Sequence, residues 1–200
     1  MSVWAIIPVR PTIEGKSRLS SVLNAEQRRD LNEFFFHHTM KIVCAVLPPA
    51  HCLVISQSPD LLHYATGLGV GTILEPGESG LNKALQQAAA EARARGATSI
   101  LSISCDLPYL QASDLEAMLA ASNGNNVVIA PDAPGEGTNA LLMSPAGAIP
   151  YTYGLGSFAK HASAAEKASK KLVIIQRPGL ANDIDTPEDL LAFKAATGQV

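Results

Sequence analysis

Short apolar runs alternate along this chain with longer stretches in which apolar side chains return at helical spacing, and this alternation constrains the fold more than any other feature. "VWAIIPV" near the N-terminus is apolar on both faces of an extended chain, the pattern of a strand covered on both sides, and "PVRP" ends it. A polar loop, "RPTIEGKSRL", follows. Asn24 can then cap a helix with Gln27 reaching back, and Leu31, Phe34, Phe35, His38, Ile42, Val43 and Val46 recur at helical spacing until two prolines stop the pattern. "HCLVIS" and "GVGTILE" predict the next two strands, with a short helix at "PDLLHYATG" between them. A helix over 79–95 opened by Ser79, a strand at "TSILSIS" and a helix opened by Ser113 with Glu116 come next. "NVVIAP" and "TNALLMS" predict two strands around the loop "DAPGEG", followed by a helix over about 158–169 and a strand at "LVIIQ". A last helix runs from Pro187 to about residue 196, with Thr186 as its cap and Pro187 at its first position.

This order predicts an α/β fold: a mostly parallel central sheet flanked by helices, with mixed pairing around 126–143. Ligand chemistry then belongs at the carboxyl ends of the strands. With 200 residues, 47% hydrophobic, and no linker or internal repeat, residues 1–200 are expected to form one domain. The formal net charge of -3 gives no reason to expect nucleic acid as a partner. No stretch approaches the roughly 18 apolar residues of a membrane helix. "MSVWAIIPVRP" carries no basic leader or cleavage pattern, so a soluble cytoplasmic protein is expected. Cys44, Cys52 and Cys105 are few and sit in apolar runs, which suits buried thiols better than a disulfide framework or a zinc site.

The chemistry-bearing residues gather in a few loops. "NDIDTPEDLL" at 182–191 places Asp183 and Asp185 two apart, just before a helix start. If that stretch is extended, both carboxylates point to one side. The alternative is that one of them supports the helix start through its dipole, while Glu188 and Asp189 do the rest. Asp106 follows "ILSISC", where a buried strand emerges at the ligand-binding edge, and is either a metal carboxylate or a turn-forming aspartate. Acids forced together repel unless a cation compensates, and hard oxygen ligands select magnesium or manganese. "EGKSRL" offers Gly15 for close backbone approach, with Lys16 and Arg18 as cations for a polyphosphate. It is not a P-loop, because the full GxxxxGK[ST] pattern is absent.

"PGESGLNKAL" puts Gly80 and Asn82 at a helix start, a usual place for a phosphate, ribose or base edge, although a plain capped turn explains it equally well. "PGEGTNALL" and "YGLGSFAKH" set glycines beside the hydroxyls of Thr138 and Ser157. The hydroxyl of Ser157 and open helix-start amides there can hold a second anion. "GLGVG" lies between a helix and a strand, the wrong order for a dinucleotide fingerprint. Among the five histidines, only His161 is spaced to reach the second anion site.

Taken in order, "PVRP…GKSRL", "GLNKAL", "CDLPYL", "PDAPGEGTNALL", "YGLGSFAKH" and "NDIDTPEDL" resemble the CofC/FbiD family of guanylyltransferases, over nearly the whole chain. The resemblance implies a nucleotidyltransferase fold like that of type A glycosyltransferases. It implies an enzyme that moves the guanylyl group of GTP onto the phosphate of a small three-carbon phospho-acid and releases pyrophosphate, in the biosynthesis of a deazaflavin coenzyme. By resemblance Asp106, Asp183 and Asp185 are metal-binding, for Mg2+ or Mn2+, and Lys16 with Arg18 serves the triphosphate. Arg10 stands where the family often has lysine, and with Gly15, Lys16, Gly80 and Asn82 is assigned to the nucleotide. Thr138, Gly154 and Ser157 match positions that contact the phospho-acid. Rival readings are a nucleotide-sugar glycosyltransferase and a non-catalytic nucleotide-binding protein. The acid itself is open among phosphoenolpyruvate, 2-phospho-L-lactate and 3-phospho-D-glycerate. A homodimer is an option if the "FFFHH" helix leaves an apolar stripe exposed.

Overall fold

A computed structural model of the chain describes residues 2–9, 17–75, 77 and 80–198. Its elements are β1 (Val3–Val9), α1 (Ala25–Val46), β2 (Cys52–Ser56), α2 (Pro59–Gly67), β3 (Gly71–Leu74), α3 (Leu81–Ala94), β4 (Ser99–Ile103), α4 (Ala112–Ala120), β5 (Asn126–Pro131), β6 (Thr138–Met143), α5 (Ser157–Lys167), β7 (Lys171–Ile174), α6 (Pro178–Ala181) and α7 (Pro187–Thr197). The strands form a seven-stranded sheet in the order β3-β2-β1-β4-β6-β5-β7. β6 pairs antiparallel with both β4 and β5, while the other pairings are parallel, so the mixed region falls where the sequence placed it.

Both faces of the sheet are covered, and alternate residues of each strand serve opposite faces. On β1, Ala5, Ile7 and Val9 join Phe36, Met40, Leu61, Leu115 and Met118 under α1, α2 and α4. Trp4 and Ile6 face the other way, against Ala84, Leu85, Ala88 and Ala92 of α3 and Ala165 of α5. A third cluster, built from Leu19, Phe35, Ile184, Leu190 and Phe193, pins α7 and the loop before it to α1. Among the described residues no helix is long and apolar enough to cross a membrane.

The helix starts show where local rules were read in the right frame. Asn24 and Gln27 form the reciprocal box at α1, with amide-to-side-chain bonds of 2.9 Å in each direction. α4 begins earlier than Ser113 and Glu116 imply: its box uses Gln111 and Asp114, whose carboxylate accepts the Gln111 amide at 2.9 Å. Asp114 is buried at 4% exposure because it also receives Arg177, which draws it to the inner side of the turn and moves the helix frame with it. α3 starts at Leu81 with Gly80 as its cap, in the left-handed region at φ +77°, and Ser79 lies outside the described residues. The stripe of α1 also differs from the predicted one. Phe36, Thr39, Met40 and Val43 are buried against the sheet side, Phe35 turns into the third cluster, and Phe34 is left 43% exposed. Of "FFFHH", Phe35 and Phe36 are therefore used inside the molecule, while Phe34 and His37 stay exposed.

Candidate active site

Asp106 lies just past β4, on a segment tied to the neighbouring strand by the Ser104 amide, which donates to the Asn139 carbonyl at 2.8 Å. Ser104 Oγ also donates to Asp106 Oδ1 at 2.6 Å. The other two aspartates arrive from the C-terminal part of the chain. Asn139 holds α6 against β6 by donating from Nδ2 to the carbonyls of Leu180 at 3.0 Å and Ala181 at 3.3 Å. Beyond α6 the chain crosses Asp106, where the Ile184 amide donates to the Asp106 carbonyl at 3.3 Å. The Ile184 side chain, 1% exposed, sinks into the third cluster, so its two extended neighbours turn the opposite way. As a result one carboxylate oxygen from each of Asp106, Asp183 and Asp185 lies within 4.8 Å of the other two.

The start of α7 does not need either of the paired aspartates as a cap. Asp189 Oδ2 accepts from the amides of Asp185 at 3.1 Å and Thr186 at 2.8 Å and from Thr186 Oγ1 at 2.8 Å, while the Asp189 amide donates back to Thr186 Oγ1 at 3.3 Å. Thr186 and Asp189 complete that box between them. Gathering three acids has an electrostatic cost that shows on Asp183, whose carboxyl is pushed up to about 6 by burial first and then by the charges of Asp106 and Asp185. A hard divalent cation removes this repulsion, and three carboxylate oxygens this close suit magnesium or manganese. Arg18 reaches the group from its rim, Nη1 standing 3.8 Å from Asp185 Oδ2. With the two side chains 73% and 49% exposed, that pair is screened by water and holds little by itself.

The trio borders a cleft of about 310 Å³ between the carboxyl ends of β1 and β4, at the point where the strand order turns back. Pro8 and Val9 close one side, and Leu81 at the start of α3 another. Because β6 runs against its neighbours, its first residue, Thr138, stands at this same edge and lines the cleft. Asp183 and Asp185 also border a neighbouring hollow of about 620 Å³, together with Arg18 and Asp132.

The remaining expected residues fall as follows. Arg10, Gly15 and Lys16 lie outside the described residues. Asn82 uses its carboxamide on the main chain of Tyr153, accepting from the amide at 2.8 Å and donating to the carbonyl at 3.1 Å, and so ties α3 to the segment before α5. Gly154 has φ +116°, a conformation glycine adopts without a Cβ penalty. Ser157 is 2% exposed, and its hydroxyl donates to Thr138 Oγ1 at 3.2 Å. Two amides at the start of α5, expected to be open, are engaged: that of Ser157 with the Gly154 carbonyl at 3.0 Å and that of Phe158 with the Glu136 carbonyl at 3.1 Å. Sequence reasoning did not single out Asn139 and Ser104, which position the aspartates. A buried asparagine beside Thr138 in an otherwise apolar strand was the available signal.

The family model described as guanylyl transferase, CofC like, matches residues 3–195. The phosphoenolpyruvate guanylyltransferase of Rubrobacter xylanophilus is 37% identical over 201 residues, covering 99% of this chain and 96% of that protein. The 3-phospho-D-glycerate guanylyltransferase of Colwellia psychrerythraea is 32% identical, covering 92% and 88%. Among solved structures, a nucleotidyl transferase from Methanothermobacter superposes with a TM-score of 0.66 at 16% identity, covering 98% of this chain and 97% of that one. A nucleotidyltransferase fold, three convergent carboxylates and a full-length family match lead to one conclusion: the chain belongs to the family of CofC-like guanylyl transferases.

Proposed function

We propose that this chain joins the guanylyl group of GTP to the phosphate of a small three-carbon phospho-acid, with pyrophosphate as the leaving group, in the biosynthesis of a deazaflavin coenzyme. The convergence of Asp106, Asp183 and Asp185 on a cleft that Thr138 also lines is the observation that carries the reading. In the reaction an oxygen of the acid's phosphate bonds to the α-phosphorus of GTP as the bond from that phosphorus to the bridging oxygen of pyrophosphate breaks. A phosphate monoester is already anionic near neutral pH, so no residue has to take a proton from it. Among the described residues lining the cleft there is no histidine, in keeping with that chemistry.

What the chain must supply is position and charge. The three aspartates would hold a divalent cation, which when bound would neutralise charge on the α-phosphate. Arg18, at the rim of the trio, would meet departing pyrophosphate, and Lys16 is assigned the same task by family resemblance. The two hollows meet at Asp183 and Asp185, which suits a reaction that brings two phosphorylated molecules to one charged centre. Phosphoenolpyruvate is the first acceptor to test, since the Rubrobacter relative is named for it.

The test crosses phosphoenolpyruvate, 2-phospho-L-lactate and 3-phospho-D-glycerate against GTP and ATP with magnesium, and measures pyrophosphate. Release from GTP that requires one of the acids is expected. Transfer of a sugar with release of a nucleoside diphosphate would replace this reading with a glycosyltransferase, and nucleotide binding without turnover on any acid would leave a binding protein.

A further inference from the structure

Behind Thr138 lies a buried chain of polar groups that the reaction as described does not use. His161 is fully buried, Ser157 is 2% and Thr138 7% exposed, and of the three Thr138 is the one that lines the cleft. His161 Nδ1 lies 3.1 Å from Thr138 Oγ1, and its Nε2 accepts the Thr152 amide at 3.0 Å. A main-chain N–H can only donate, so Nε2 must present its lone pair. In a neutral ring the proton is then on Nδ1, and Nδ1 must donate to Thr138 Oγ1. The ring sits edge-on to Tyr153, with centroids 5.0 Å apart, in surroundings that disfavour an imidazolium, and burial brings its pKa down to about 4.

Thr138 Oγ1 thus accepts twice, from His161 and from the Ser157 hydroxyl at 3.2 Å. A hydroxyl has two lone pairs and one hydrogen, so with both lone pairs filled only the hydrogen remains. We infer that His161 is a positioning residue which commits the Thr138 hydroxyl to donating into the cleft, onto an oxygen of the anionic acceptor. Such a hydroxyl favours a group with acceptors only, a phosphate or carboxylate oxygen, over one that must itself donate. The nature of the ligand rests on the proposed function, whereas the direction of the hydrogen bonds does not.

Two measurements on the full chain separate these parts. Long-range 1H–15N correlation on the ligand-free protein, with the His161 signals assigned by through-space contacts of the ring to Tyr153 and Thr138, is expected to show a neutral ring protonated on Nδ1 at pH 6. A ring protonated on Nε2, or an imidazolium at that pH, overturns the inference. Steady-state kinetics then compare His161→Phe, Thr138→Val and the double variant. Each single change is expected to raise KM for the phospho-acid roughly tenfold or more, the loss of a hydrogen bond to a charged group, with KM for GTP little changed. The double variant is expected to be no worse than Thr138→Val, because His161 acts through that hydroxyl. Multiplying effects, or equal rises in both KM values, would mean a packing role only and would overturn it. If wild type turns over none of the acids the proposed function fails, while the tautomer measurement still decides the His161–Thr138 pair; it also stands alone should the variants fail to fold.

Discussion

Asp183 shows most directly what gathering three acids costs in stability. Burial, Asp106 and Asp185 together hold its carboxyl near 6, well above the usual carboxylate range. Between about pH 4 and 6 the folded chain keeps a proton that the unfolded chain has released. The stability of the metal-free protein therefore falls as pH rises through this window, and the penalty persists at pH 7. Asp183→Asn removes the charge but keeps the shape. Its Tm without metal is predicted to exceed that of wild type at pH 7, by roughly 2–4 °C for each kcal/mol relieved, and to match it near pH 4. Thermal unfolding at the two pH values measures this, and a lower Tm at pH 7 would mean that the trio is not under repulsion. The pairing of Asp183 with Asp185 was legible in the sequence because a period of two puts extended neighbours on one side. Thr186 as the cap of the following helix was legible as well, whereas the spacing alone left open whether one of the paired aspartates also serves that helix start.

At the scale of elements, the site depends on a short helix that no periodicity announces. α6 has only four residues, too few for a repeating apolar face, and tertiary contacts hold it in place. Asp114 of α4 receives Arg177 Nε at 2.5 Å and the Gln111 amide at 2.9 Å. Gly179 packs so closely on that carboxylate and on the Tyr109 carbonyl that a Cβ would collide with both. Asn139 completes the seat from the other side. Asp114→Ala is predicted to cost about 1–3 kcal/mol, because it removes the buried carboxylate that both the Gln111 amide and the Arg177 guanidinium donate to, with urea unfolding as the measurement. Activity is predicted to fall with it, as α6 leads directly into the loop of Asp183 and Asp185. A variant with unchanged stability would show that this seat is not what fixes α6. The long elements were read well, because their apolar periods are strong. The frames of α1 and α4 were read less well, because Phe35 and Asp114 answer to partners distant in sequence.

For the whole molecule, topology does what no local pattern could. Antiparallel β6 brings its first residue to the edge where parallel β1 and β4 end, so Thr138, Asp106 and the C-terminal loop meet although long stretches of chain separate them. The fold class and the three aspartates were readable from the sequence. The buried Thr138–Ser157–His161 chain was visible only as glycine-rich loops with nearby hydroxyls and a histidine at suitable spacing, since hydrogen-bond direction has no sequence signature. The proposed reaction requires the three carboxylates to act as one divalent-cation centre for guanylyl transfer. Pyrophosphate release from GTP and phosphoenolpyruvate tests it most directly, measured for wild type, Asp183→Asn and Asp185→Asn, each folded by circular dichroism, with magnesium and with excess chelator. The prediction is acid-dependent release by wild type that chelator abolishes and that either substitution lowers by roughly 100-fold or more. Near-normal release from the asparagine variants, or release that survives the chelator, would contradict it.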